Sequence, residues 1–333
     1  MSSGEEEEEV GGMLLGFSEE VEDERYLRRH FFPSKIGGQP AWLDPVRLPS
    51  EEAGHTKCKG CGGRLSFLLQ VYAPINGIDD AFHRTLFVFT CTQEECLRKN
   101  LGVTVLRCQL GRENPYYGYH PAEDDQEFPA LAPGQEKEPP ETDFRGPWTE
   151  SELVTDPEPE AGEAAGGDDA SELERLTERY GDMVVDRPGE GGGGDEAGED
   201  IDLNEMDESE IDEVWAKFQK RLSRAPTQCI RYCSEGVSGG EAADSADAKP
   251  LWPSSSNTPS GVPPCGLCGK PRQFEFQILP QVLYYAGVDA GVPDDLDFTT
   301  IAVYTCSCTV PSEVSGETGS SYTEEFAWTQ CGT

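Results

Sequence analysis

CKGCGGRLSFLLQVYAPINGIDDAFHRTLFVFTC, Cys58 to Cys91, is a Cys-x-x-Cys turn feeding two apolar runs that close on a third cysteine. The pattern recurs as CGLCGKPRQFEFQILPQVLYYAGVDAGVPDDLDFTTIAVYTC, Cys265 to Cys306. Laying Cys268 on Cys61 places Phe274 on Phe67, Gln277 on Gln70 and Ile278 on Val71 without a gap, and FVFTC then matches AVYTC. An ordered match of turn, strand and closing cysteine points to internal duplication of one β-rich unit.

Each copy carries two cysteine pairs. Cys58-x-x-Cys61 faces Cys91-x4-Cys96, and Cys265-x-x-Cys268 faces Cys306-x-Cys308. Four thiolates at about 2.3 Å suit structural zinc, and they leave no open position for a catalytic one. Gly62 and Gly269 follow the turns, where a residue without Cβ lets backbone come close to a metal. The spacings of the second pairs depart from the usual, so redox-active and plainly buried thiols stand as rival readings. The redox reading lacks a βαβ setting and leaves the second pair of each copy unexplained.

Length and charge set the frame. The chain has 333 residues, 12 cysteines and a net charge of −38. Pro121 to Glu213 holds 33 acidic residues against five basic ones, a balance of −28, whereas Cys58 to His120 holds five against seven. The acid is therefore concentrated in the middle, which should repel nucleic-acid phosphates and attract basic proteins; a merely solvated linker has the same composition. No apolar run reaches membrane-spanning length. Glu5 to Glu9 have the wrong sign for a secretory leader. Cysteines without such a leader point to reduced thiols in the cytosol or nucleus.

The expected organisation follows: 1–24 acidic and mostly disordered apart from the MLLGF patch, which adds an edge strand or docks on the fold; 25–120 the first β-rich unit with an aromatic loop; 121–200 an acidic disordered linker; 201–233 an amphipathic helical segment; 234–249 a loose linker; 250–333 the second unit. The fold class is mainly β with minor α, an α+β chain of two duplicated, zinc-stapled units packed together. FFPSKIGGQPAWLDP, Phe31 to Pro45, is too broken by Pro and Gly for a helix or central strand. It is also too apolar for a free linker, so it reads as a loop pinned by its aromatics, or as a peptide-binding lip presenting Trp42, Phe32 and Ile36. Ile211, Val214, Trp215, Phe218 and Leu222 form one stripe of a helix starting near Glu208, with Ser209 as its cap. TQCIRYC, with Cys229 and Cys233 at i, i+4, continues as a short helix or turn. SYTEEFAWTQC alternates as a final strand with Phe326 and Trp328 on one face. His83 reads as a packed or surface residue.

FPSKIGGQPAWLDP, LSFLLQVYAPI, AFHRTLFVFTC, the FQKRL to IRY region, PLWPS and YTEEFAW resemble the programmed cell death 2 family, which includes a yeast factor for 20S pre-rRNA maturation. The likeness covers everything outside the acidic tracts. In that family the animal namesake has a MYND-type finger between its halves; here no cysteine lies between Cys108 and Cys229, so the chain resembles the branch without that finger. The resemblance implies a non-catalytic chaperone for one basic small-subunit ribosomal protein, number two in eukaryotes and five in bacteria, acting in 40S biogenesis. The rival classes are a zinc-stabilised scaffold in cell-death or cell-cycle regulation, a nucleic-acid-binding zinc ribbon, and an enzyme. The last two lack a basic face and any phosphate-cradling loop or nucleophile elbow.

Overall fold

A computed structural model describes residues 12–21, 23–49, 54–118, 146–159, 213–233, 249–288, 296–309 and 321–332. Its strands are β1 (Met13–Glu19), β2 (Lys35–Ile36), β3 (Ser66–Tyr72), β4 (His83–Thr90), β5 (Val103–Leu110), β6 (Ser151–Pro157), β7 (Ile230–Cys233), β8 (Gln273–Ile278), β9 (Thr300–Thr305) and β10 (Thr323–Gln330). Among the described residues, three α-helices accompany them: α1 (Glu94–Arg98), α2 (Glu213–Leu222) and α3 (Gln281–Tyr285).

All strand pairs are antiparallel and close into a barrel in the order β1-β6-β2-β3-β4-β5-β10-β9-β8-β7, with β7 returning to β1. Closure leaves no edge among these strands, and it explains why the apolar runs are continuous rather than alternating. Leu69, Val71, Leu86, Val88, Phe276, Ile278, Ile301 and Val303 share one cluster fed by strands all round the ring, which is the barrel interior. Phe87, Phe89 and Leu106, of opposite parity, pack outside with Trp42 and Leu43, and Phe67 joins them because the ladder slip before Leu69 turns it to that face. Val282, Leu283 and Ala286 of the α3 region fill one end of the interior. At the other end lies buried charge: the Arg84 guanidinium donates to Glu275, to Thr305 Oγ1 and to the Ala73 carbonyl.

Two local features recur. The β3–β4 ladder slips between Phe67 and Leu69, and the β8–β9 ladder slips between Phe274 and Phe276. The Ala41 N–H donates to Gln70 Oε1 at 2.8 Å, and the Leu251 N–H donates to Gln277 Oε1 at 2.9 Å. Each glutamine thus pins backbone next to a tryptophan, Trp42 or Trp252, over the outside of the wall.

Several expectations need correction. Residues 151–157, placed in the acidic linker, are a barrel strand; Ser151 and Leu153 point inward while Glu152 and the last three residues do not, so the acids hide a half-buried strand. The rest of that tract, with the segment from Ser171, lies outside the described residues, as do Ser209 and Ile211. MLLGF is no edge: β1 lies between β6 and β7. Ile230–Cys233 is a strand rather than a helix or turn, because β1 and β8 both offer it ladder partners. Trp42 (2% exposed) and Ile36 (0%) are core, so they present no lip; Trp42 stacks on Phe89 and packs against Phe87 and the edge of Tyr322, as a pinned loop requires. Phe32 is half-buried and stacked on His83 at 4.1 Å. Phe218 and Leu222 of the α2 stripe pack on Leu279, just past β8. No helix among the described residues is long and apolar enough to cross a membrane.

Candidate metal centres

Both Cys-x-x-Cys turns are built the same way. In the first, the Cys58 N–H donates to the Gly63 carbonyl at 2.7 Å and the Gly62 N–H to the Cys58 carbonyl at 2.9 Å. In the second, the Cys265 N–H donates to the Lys270 carbonyl and the Gly269 N–H to the Cys265 carbonyl, both at 2.8 Å. Gly62 and Gly269 have φ of +73° and +72°, a left-handed conformation that glycine adopts without steric cost. The other pairs come from the strand ends: Cys91 follows β4 with Cys96 on α1, and Cys306 follows β9 with Cys308 two residues on.

All eight cysteines meet as the spacing predicts. Cys58, Cys61, Cys91 and Cys96 form one quartet and Cys265, Cys268, Cys306 and Cys308 the other, each with its sulfurs within 4.8 Å of one another. The Cys61–Cys91, Cys265–Cys308 and Cys268–Cys306 separations are 3.8, 3.7 and 3.5 Å. Sulfurs bound tetrahedrally at about 2.3 Å sit roughly 3.8 Å apart, so the donor set fits one four-coordinate ion per quartet. Backbone N–H groups already aim at the sulfurs: Gly60 at Cys58, Gly63 at Cys61, Gln93 at Cys91 and Cys308 at Cys306, all at 3.3–3.4 Å. Such donors stabilise thiolate.

The thiols divide by exposure. In each quartet one cysteine, Cys61 or Cys268, is exposed. The Gly63 N–H lowers the Cys61 pKa, and the Lys270 N–H brings Cys268 to about 7. Burial pushes Cys96 up to about 11 and Cys306 to about 12, and raises Cys91 further. The exposed cysteine is therefore the first to offer a thiolate, and a bound cation would supply the charge that keeps the buried ones deprotonated.

The two quartets have different surroundings. Arg107 of β5 donates to the Cys308 carbonyl at 2.8 Å and to its Sγ at 3.5 Å, while its Nε donates to Glu325 of β10 at 2.6 Å. Sequence reading found no role for Arg107 or Glu325, since nothing local marks a charge in a strand as buried. His83 is packed: Tyr72 Oη lies 3.0 Å from its Nδ1, and burial pulls its pKa down to about 4.

Two family descriptions match the chain. Residues 12–124 match the N-terminal domain of programmed cell death protein 2, and residues 212–331 match its C-terminal domain. The mouse programmed cell death protein 2 is 33% identical over 374 positions, spanning 96% of each chain. The chain belongs to the programmed cell death protein 2 family. The bovine relative of that name is 31% identical and spans 97% of each chain. A fission yeast protein named probable 20S rRNA accumulation protein 4 is 29% identical over 103 residues, 31% of this chain and 25% of its own. No solved structure gives a significant match. The two matched stretches each contain one quartet and omit β6, the strand hidden among acids.

Proposed function

We propose that this family member is a non-catalytic, zinc-stapled chaperone that escorts a basic small-subunit ribosomal protein, number two in eukaryotes and five in bacteria, during 40S biogenesis. The observation that carries this reading is kinship with the yeast relative named for 20S rRNA accumulation. Zinc is the ion assigned to both quartets, because four thiolates held by tight turns form a closed structural site. The recurring ladder slip and the paired Gln70 and Gln277 clamps support descent of the two halves from one duplicated unit.

The charge fits a basic client. Pro121 to Glu213 carries −28 and attracts a Lys- and Arg-rich chain from a distance. Screening over about 8 Å at physiological salt limits that attraction to speeding the encounter. The specific grip then belongs to the barrel, with the protein working in the cytosol and nucleus and touching neither membrane nor nucleic acid. The name carried by the mammalian relatives favours the alternative, an interaction scaffold in cell-death regulation.

The test mixes the full chain with the purified ribosomal protein at physiological salt and follows light scattering, beside a pull-down under mild salt read by mass spectrometry. The expected result is a soluble one-to-one complex and suppressed aggregation, with that protein dominating the pull-down. A pull-down rich in cell-death regulators, with the ribosomal protein aggregating as if alone, favours the scaffold. Metal analysis of protein purified without chelator should find about two zinc ions per chain.

A further inference from the structure

β10 closes the barrel between two unequal neighbours. It pairs with β9 over five positions and with β5 over three, Thr323–Arg107, Glu324–Leu106 and Glu325–Val105, while β4 and β5 pair over eight. The β5–β10 seam is thus a short ladder between segments far apart in the chain. Both metal-binding regions reach across to it. From the first, Lys59 of the Cys58–Cys61 turn pairs with Glu324, and Asn100, just after α1 with φ +57°, accepts the Thr329 N–H through Oδ1. From the second, the Cys306 N–H points at Glu325 Oε1 at 3.5 Å, and Arg107 joins Glu325 to the carbonyl and sulfur of Cys308. Arg272, close after the Cys265–Cys268 turn, donates to Glu325 Oε2 and to the Glu324 carbonyl.

We infer that the two cysteine quartets are latches on the β5–β10 seam, so that metal binding is read out as closure of the barrel. Zinc in the quartets, as proposed above, is the premise. The second quartet is the stronger latch. Arg107 and Glu325 are both 0% exposed, and a buried pair loses heavily when its geometry is disturbed, whereas Lys59 and Glu324 are 46% and 39% exposed and water screens them. Cys306 and Cys308 set where the carbonyl, sulfur and N–H that meet this pair stand. Without a metal, the mutual spacing of the sulfurs is no longer enforced, and Arg107 loses the fixed position of its Cys308 acceptors. The three-residue ladder and the Arg107–Glu325 pair then hold the seam without the quartet's support. Opening it turns the ring into a sheet with two free edges, β5 and β10, of the kind that pairs with extended polypeptide.

Hydrogen exchange read by mass spectrometry tests this on the full chain, zinc-loaded and after stripping with EDTA, with bound zinc counted in each state. The expected result is exchange in 103–110 and 323–330 faster by on the order of a hundredfold after stripping, although 103–110 contains no quartet residue. Cys308→Ser should reproduce most of that increase and Cys61→Ser much less. Arg107→Met, which keeps all eight cysteines, should still bind zinc while 103–110 exchanges fast whether or not zinc is present. If zinc is bound and its removal speeds exchange only in 58–102 and 265–309, the quartets are local staples and the latch is overturned. A chain that binds no zinc overturns the metal premise and the latch together, and the zinc count separates that outcome from the first. Should Cys308→Ser fail to fold, the stripping of the unaltered chain decides by itself.

Discussion

Glu275→Leu is the substitution that most directly weighs the charge inside the barrel. Glu275 and Arg84 are both 0% exposed, the Arg84 guanidinium meets Glu275 Oε2 at 2.8 Å, and Thr305 holds the same carboxylate. Glu275 sits at the slip of the β8–β9 ladder, and the residue at the matching slip of the β3–β4 ladder is Leu68, so leucine fits that backbone. Replacing Glu275 alone strands Arg84 in an apolar interior, which costs about 3–5 kcal/mol. With a urea slope of about 2–3 kcal/mol per molar, the unfolding midpoint should fall by roughly 1–2 M. Arg84→Met with Glu275→Leu removes both charges and should restore stability to within about 1–2 kcal/mol of the unaltered chain, leaving a large favourable coupling in the double-mutant cycle. A single substitution costing under about 1 kcal/mol, or a double variant as unstable as the two singles added, would refute the view that the pair matters through mutual compensation.

Trp42→Ala should destabilise the fold by about 3–5 kcal/mol, because the ring fills the space between Phe87, Phe89 and Tyr322; a variant as stable as the parent, checked by urea melts, would return Trp42 to the surface. Burial holds His83 at about 4 against an ordinary 6.5, so its share of stability is complete above pH 6.5 and is lost as pH falls toward 4. His83→Phe should flatten the dependence of the unfolding midpoint on pH in that window, and unchanged slopes would speak against a buried neutral ring. Burial raises the pKa of Glu158, but Arg221 and Arg231 outweigh it and bring the carboxyl down to about 2 from 4.5. Its contribution is therefore present above pH 4.5 and lost as pH falls toward 2, and the stability gap between the parent and Glu158→Gln should close over that interval; a constant gap would assign it to packing.

The metal quartets, the long strands and α2 were legible because their signals are local: a turn with two donors, a run of apolar residues, a helical stripe. β6 was not, since SELVTDP reads as one more acidic stretch and only its partners β1 and β2 reveal which side faces inward. β7 was misread because cysteines four apart mimic one helical face, while the ladders that decide its state come from strands more than 40 residues away or from the start of the chain. Nothing in the sequence distinguishes Arg84 or Arg107 from surface arginines. Their carboxylate partners lie 191 and 218 residues downstream, and burial is a property of that distant pairing. The aromatic loop was correctly seen as ordered, and its tryptophan was lost as a contact surface for the same reason: ordering it took the ring inside.

The position of β10 also has a consequence for how the protein is made. β5 leaves the ribosome early, yet the strand that covers its outer side is the last of the described ones, ending at Gln330. At about 5–20 residues per second, synthesis of the intervening stretch takes on the order of 10–40 s. Throughout that interval a nascent β3–β4–β5 sheet carries an uncovered edge, and no fragment stopped short of β10 can cover it. The nascent chain would then pass through a stage with an exposed strand edge, and its yield in cells should respond to elongation speed between Leu110 and Thr323.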